Sequence, residues 1–272
     1  IYVCADNCMR GVVLTAAEMN AADRFSFVIV EEEDLLNGNL EDVTIEGVTD
    51  VLRKRKDYPK AVLLFTVCLH HFLGCDLERV YKELEARFPD ILFVRCYMDP
   101  IMQKHGLTPD QKLRKAIYDG LKVREEKPKA VTILGSDFVL DETSDIRRLL
   151  KEKHMEIKEL PKCDSWKSYQ DLADSKIFIA CYPAGKYGLE RQAERLGKKA
   201  LYLPGSYDYD EIIRQWKTLE QAVGENVEEV EGIEDTDMHM EKSLERITKR
   251  EIARCESALE QARKVVGDVP IM

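Results

Sequence analysis

Short apolar runs bounded by polar or turn residues alternate along the chain with longer segments whose apolar residues recur every three to four positions. That alternation predicts strands and helices in turn. Ile1 to Val3 reads as a strand, as does Phe25 to Val30, and EEEDLLNGN then reads as a polar turn centred on Asn37 and Gly38. Leu40 to Arg55 has helical spacing, and Ala61 to Phe65 is an apolar strand. Asp76 to Phe88 is a helix with Leu77, Val80, Tyr81 and Leu84 on one face, stopped by Pro89. Ile91 to Val94 is a strand ending at Cys96.

Thr108 as cap and Pro109 in the first turn open a helix to Leu121. Ala130 to Leu134 is then a strand that ends in Gly135, Ser136 and Asp137. Helices are expected over Ser144 to Lys153, Ser165 to Asp174 and Gly188 to Leu196, the last closed by Gly197. Strands are expected over Met155 to Leu160, Lys176 to Ala180 and Ala200 to Leu203. From Tyr209 the pattern changes to charged helices, Asp210 to Val223 and Met240 to Val266, joined by the acidic EEVEGIEDTD, and DVPIM reads as the start of another strand. The fold class is α/β, with Rossmann-like parallel-sheet domains and helices on both faces. Residues 1–125 form a first α/β domain, 126–208 a second, and 209–272 a helical segment leading toward a further domain that is absent.

The chain has 272 residues, 44% of them hydrophobic, enough for a substantial core. Its net charge of -10 comes from both signs spread along the sequence without a basic block. That indicates no nucleic acid and no anionic membrane as partner. With no run near ~18 apolar residues and no signal-peptide pattern, the expected location is cytoplasmic.

Eight cysteines change the picture, because in a soluble protein of this size they point to buried thiols, metal ligands or catalytic groups rather than disulfides. Cys4, Cys68, Cys96 and Cys181 each stand where an expected strand ends. In a parallel sheet those ends share one edge, the edge at which open α/β folds hold ligands. A lone free cysteine more often packs as a small hydrophobe. Four at equivalent positions point first to an iron–sulfur cluster and then to zinc, although no CxxC or other zinc spacing is present. Cys8 and Cys75 are further candidate ligands or packed thiols, whereas Cys163 and Cys255 read as incidental. His70 and His71 are adjacent, so only one is expected to face a cleft, and a capping or solvent-facing role is the plainer reading. His105, before Gly106, is a candidate proton donor or a loop histidine bonded to backbone. GSD at 135–137 and YPAGKYG at 182–188 lack the spacing of a phosphate loop.

Several of these segments, in order, resemble nitrogenase component 1 proteins of the alpha-subunit type. CADNCMRGVV is similar to their first cluster-binding segment and CLHHFLGCDLE to their second; EEDLLNGN, FVRC at 93–96 and IACYPAGKYG at 179–188 also have counterparts. The resemblance implies that Cys4 and Cys68 hold an iron–sulfur cluster, 4Fe-4S or larger, at an interface with a homologous or identical component 1 subunit. It also implies that Cys181, with Tyr182 beside it, matches the position ligating a second metallocluster, and that Cys96 and the loop to His105 lie near that cofactor. An ATP-dependent iron protein is then the electron donor, the chain a reductase subunit acting on a substrate in a cleft, and His105 or His70 a proton donor. A cluster-assembly scaffold and a metal-free α/β binding module are the alternatives. Two departures stand out. Between Val13 and Phe25 the family carries a strand and a His-Gly-Pro-type loop with another cluster cysteine, where this chain has LTAAEMNAADR, which turns attention to Cys8 and Cys75. The third domain, source of the cofactor's histidine ligand, is the other missing part.

Overall fold

Tyr2, Val3 and Cys4 are all buried, and the short strand they form, β1 (Tyr2–Cys4), has a neighbour on each edge. A parallel strand covered on both faces carries an unbroken apolar run rather than an alternating one. The computed structural model describes residues 1–98, 106–231 and 237–267, and side chains outside 225–247. In it β1 pairs in parallel with β2 (Phe27–Ile29) and β3 (Ala61–Val67), and β3 pairs with β4 (Leu92–Met98), in the order β2-β1-β3-β4.

Helices make the crossovers that parallel pairing demands. α1 (Asp6–Glu18) joins β1 to β2; α2 (Glu32–Asn37) and α3 (Leu40–Arg53) join β2 to β3; α4 (Cys68–Phe72) and α5 (Leu77–Arg87) join β3 to β4. α3 and α5 send Ile45, Val48, Leu52, Val80 and Leu84 onto the face that carries Val3, Leu64 and Phe93. Met9, Val12 and Leu69, from α1 and α4, pack instead with Tyr2, Cys4 and Val67.

α6 (Pro109–Asp119) follows, capped as its sequence predicts: the Thr108 hydroxyl accepts from the Gln111 N–H at 3.2 Å, and the Gln111 side chain accepts from the Thr108 N–H at 2.9 Å. A second parallel sheet has the order β6-β5-β7-β8, built from β5 (Lys127–Ile133), β6 (Glu156–Glu159), β7 (Ser175–Ala180) and β8 (Lys199–Tyr202). Its crossovers contain α7 (Asp145–Glu152), α8 (Trp166–Asp171) and α9 (Lys186–Leu196). α10 (Tyr209–Glu231) lays Trp216, Leu219 and Val223 over the face that carries Val131, Ile133, Ile177 and Ile179. The other face packs on α9 and on Tyr118 of α6. α6 also packs against β4, so one helix is shared by the two sheets. α11 (Asp237–Val266) is tied on by Glu251 to Arg148 at 3.1 Å and by Glu256 to the Tyr209 hydroxyl at 2.8 Å. Among the described residues no helix is long and apolar enough to cross a membrane.

Four local expectations change. The segment from Asp6 through LTAAE is one continuous helix, α1, although Gly11 and the β-branched Val12, Val13 and Thr15 weaken its propensity. EEEDLLNGN is a helix up to Asn37, its acidic first turn matched to the helix dipole, and only Gly38, at φ 64°, makes the turn. Cys68 opens a helix directly instead of a loop. β4 runs on to Met98, which places Cys96 inside the strand. His105 and the strand expected over DVPIM lie outside the described residues.

Gly135 and Gly185 bring the loops after β5 and β7 into backbone contact. Gly135 has φ +80°, and a Cβ there would stand 2.5 Å from the Gly185 Cα. Gly135→Ala is therefore expected to cost about 1–3 kcal/mol through left-handed strain and overpacking. Urea unfolding measures it, and an unchanged midpoint would refute the contact.

Candidate functional site

From β1 the chain goes to β2 on one side and then crosses back to β3 on the other. The gap outside the carboxyl ends of β1 and β3 is thus the topological switch point of the first sheet, the place where such sheets hold ligands. The register Tyr2↔Phe65 and Val3↔Thr66 sets Cys4 level with Val67, one residue before Cys68. Cys4 ends β1, Cys8 stands in the first turn of α1 with its N–H donating to the Ala5 carbonyl at 2.9 Å, and Cys68 is the first residue of α4.

These three thiols differ in access. Cys4 is fully buried, Cys68 half-buried and Cys8 exposed. The Tyr2 phenol lies near all of them: its pKa is raised first by burial and then by Cys4, Cys8 and Cys68. Burial pushes the Cys4 thiol up to about 11, with Cys8 and Asp6 adding to the effect. The donors fit a thiolate-held iron–sulfur cluster in kind, since soft sulfur is gathered at a switch point. They do not form a complete set, because among the described residues no three His, Cys, Asp or Glu side chains converge to hold a metal ion.

The other candidates in this half lie apart from that group. Cys75 packs against the core that contains α3 and α5, its thiol pushed up to about 12 by burial and then by Glu41. Cys96 pairs with Phe65 inside β4; its thiol donates to the Val94 carbonyl at 3.4 Å and is pushed up to about 12 by burial. His70 is buried between helices. Val67 N–H donates to its Nδ1 at 3.3 Å, and Nε2 lies 3.4 Å from Thr44 Oγ1. Thr44 gives its own proton to the Leu40 carbonyl at 2.7 Å, so in the neutral ring it is left to accept from Nε2–H; Nδ1 lies 3.3 Å from both the N–H and the carbonyl of Val67. Burial lowers the His70 pKa in agreement with that neutral form. Both ring nitrogens are thereby committed to capping α4 and joining it to α3, while His71 is exposed. A cavity of about 260 Å³ adjoins His70 and is lined also by Thr66, Tyr97 and Lys112.

The second sheet has its own switch point, between β5 and β7. Cys181 and Tyr182 follow β7 there, facing the Gly135–Asp137 loop. Cys181 is half-buried against the core under α10, and burial alone pushes its thiol up to about 11. Three residues that the sequence reading missed organise this point. Arg114 of α6 makes a two-pronged pair with Asp137 at 3.0 and 2.7 Å and lies 4.7 Å from the centre of the Tyr182 ring, while the Tyr118 hydroxyl accepts from the Gly135 N–H at 3.0 Å. An arginine on the buried side of an amphipathic helix was the signal available for Arg114.

Thiol access yields a direct check. Alkylation with iodoacetamide at pH 8, mapped by mass spectrometry, is expected to modify Cys8 and Cys255 in the folded chain and to spare Cys4 and Cys96 until denaturant is added. Equal labelling of Cys4 and Cys8 would contradict the described packing.

The model of the family described as nitrogenase component 1 type oxidoreductase matches residues 15–272, a range that includes Cys68, Cys96 and Cys181 but begins after Cys4 and Cys8. Among solved structures, "Nitrogenase Cp1 at pH 6.5" is similar with a TM-score of 0.63 at 12% identity, over 97% of this chain and 51% of that one. "Nitrogenase Cp1 at pH 5" gives 0.62 at 12% identity, over 97% and 53%. That likeness concerns the fold, and the chain spans about half the length of these structures. No curated protein sequence matches it. The match of a single family model over nearly the whole length, on a fold shared with those structures, places the chain in the nitrogenase component 1 type oxidoreductase family.

Proposed function

We propose that this chain is a nitrogenase-like redox subunit in which Cys4, Cys68 and Cys8 supply one side of an iron–sulfur cluster site, completed by a homologous or identical component 1 subunit. The observation that carries the reading is that Cys4 ends β1, Cys8 stands in the first turn of α1 and Cys68 opens the helix after β3, all at the switch point of the first sheet. When bound, an iron–sulfur cluster supplies one-electron storage and transfer. An ATP-dependent iron protein is the proposed electron donor, and a substrate reduced in an interdomain or intersubunit cleft the proposed acceptor. The residues of the chain contribute a buried thiol at Cys4, a more accessible one at Cys68, and a surface on α1 and α4, the helices that follow β1 and β3. That surface exposes Val13 and Leu14 on α1, and Phe72 with Leu73 on and after α4. Apolar side chains grouped beside a polar site suit burial against a partner subunit. Cys181 and Tyr182 are proposed to border a second metallocluster or substrate at the other switch point. His70 is not carried forward as a proton donor, since both its ring nitrogens are engaged.

A second reading, a metal-free α/β binding module, is favoured by the full burial of Cys4 and its raised pKa. Anaerobic purification with the partner subunit separates the two. A brown sample with iron and acid-labile sulfide is expected, with Cys68→Ala losing most of both and Cys255→Ala keeping them. A colourless wild-type sample, or full iron and sulfide in Cys68→Ala, would sink the cluster assignment.

A further inference from the structure

A cavity of about 510 Å³ lies between the first sheet and the second unit, beside the amino-terminal ends of β3 and β4 on one side and the segment that leads from β6 into α8 on the other. Leu63 and Val94 form the sheet side of its wall, and Ile117 of α6 with Trp166 and Tyr169 of α8 form the other. Leu63 is 39% exposed although it sits in a central strand, because this space stands over it. The volume falls within the range of small-molecule sites, which favour junctions between packed units.

The wall is stiff on the aromatic side. Trp166 and Tyr169 lie with ring centroids 5.0 Å apart, tilted by 33°, and the Tyr169 hydroxyl donates to the Ile117 carbonyl at 2.6 Å. That bond holds the ring pair against α6, so its orientation does not depend on a ligand. The charges on the cavity are unequal. Arg24 and Lys60 both line it, are exposed, and have no acidic partner among the described residues. The carboxylate on the wall, Asp164, is already engaged, accepting from the Ser168 hydroxyl at 3.2 Å. A flat aromatic surface beside two unpaired cations matches a ligand that is flat at one end and anionic at the other, through stacking and charge-assisted hydrogen bonds.

We propose that this cavity is a binding site for a small planar aromatic anion, stacked on Trp166 and Tyr169 with its anionic group held by Arg24 and Lys60. The site is separate from the thiols of the first switch point and does not depend on a metal. An aromatic carboxylate and a purine monophosphate share this chemistry and differ in size and in the number of negative oxygens.

The test is titration of the full chain with sodium 2-naphthoate and, separately, with AMP, using equilibrium dialysis for stoichiometry and tryptophan fluorescence for affinity. Uncharged 2-naphthamide is the control for stacking alone. One-site saturation by at least one anion is expected: naphthoate alone identifies a carboxylate ligand, and AMP alone a phosphate. Reversal of both charges, Arg24→Glu with Lys60→Glu, is expected to weaken anion binding at least tenfold and to leave naphthamide within twofold. Both residues are at the surface, so this variant should fold even where Trp166→Leu, expected to weaken all three ligands, does not. The proposal is overturned by no saturable binding of either anion up to millimolar concentration, by binding of the amide but of neither anion, or by anion affinity unchanged in the double variant.

Discussion

The structure depends on a constraint of chain connection. Parallel strands need a crossover, and crossovers from a right-twisted sheet are right-handed. β1 is central in its sheet, with β2 reached on one side and β3 on the other, so the covering helices fall on opposite faces: α1 on one, α3 and α5 on the other. Where the chain reverses its direction of advance, no connection closes over the strand ends. Cys4 and Cys68 stand at that opening because they are the residues at which β1 and β3 finish. The same rule acts again in the second sheet, at β5 and β7, and sets Cys181 and Tyr182 at the corresponding opening. Two openings of one kind, one per sheet, follow from topology before any side chain is considered.

α6 determines how the two openings are built around. It packs on β4 of the first sheet and on α9 of the second, and from its second face Arg114 and Tyr118 reach the Gly135–Asp137 loop. Arg114 is well buried at its head and bonded to an exposed Asp137. Asp110, one turn earlier on α6, is a second carboxylate on Arg114 at 2.9 Å, so the guanidinium is compensated from its own helix as well as from the loop. The Gly135–Gly185 contact brings the loops after β5 and β7 together at backbone level. The space left between the units lies instead where the amino-terminal ends of β3 and β4 face Ile117 of α6 and Trp166 and Tyr169 of α8.

Much of the fold was legible because its strands are apolar runs ended by turn residues, and its main helices carry caps of readable chemistry, as at Thr108, Ser144 and Asp76. The parallel class followed from alternation alone. α1 was not legible, since its apolar positions do not form one buried stripe: Val13 and Leu14 remain exposed while Ala16 is buried. α4 has five residues, too few for any periodicity to register. The resemblance implies that Cys4 and Cys68 share a site, and the strand register sets Cys4 level with Val67, the residue before Cys68. What sequence lacked was the third dimension of the remaining thiols: that Cys75 lies on the opposite face, that Cys96 is within its strand, and that Cys8 stands nearest to solvent. Arg114 meets Asp137 across 23 residues and Tyr169 meets Ile117 across 52, contacts that no local pattern encodes.

On the proposed reading, the protonation of the thiols bears on how a cluster site could be filled. A metal binds thiolate, so loading Cys4 releases a proton from a group whose pKa burial has pushed up to about 11. The same burial that disfavours a lone thiolate excludes water once a cationic partner has arrived, and then strengthens the bond it first opposed. Cys68, half-buried on the opening, has easier access to solvent. On that reading Cys8 and Cys68 are the thiols a cluster would meet from solvent, and Cys4 the one whose burial opposes its thiolate. Cys4 stays a neutral thiol until a metal compensates its thiolate, and among the described residues no three such side chains converge to hold one.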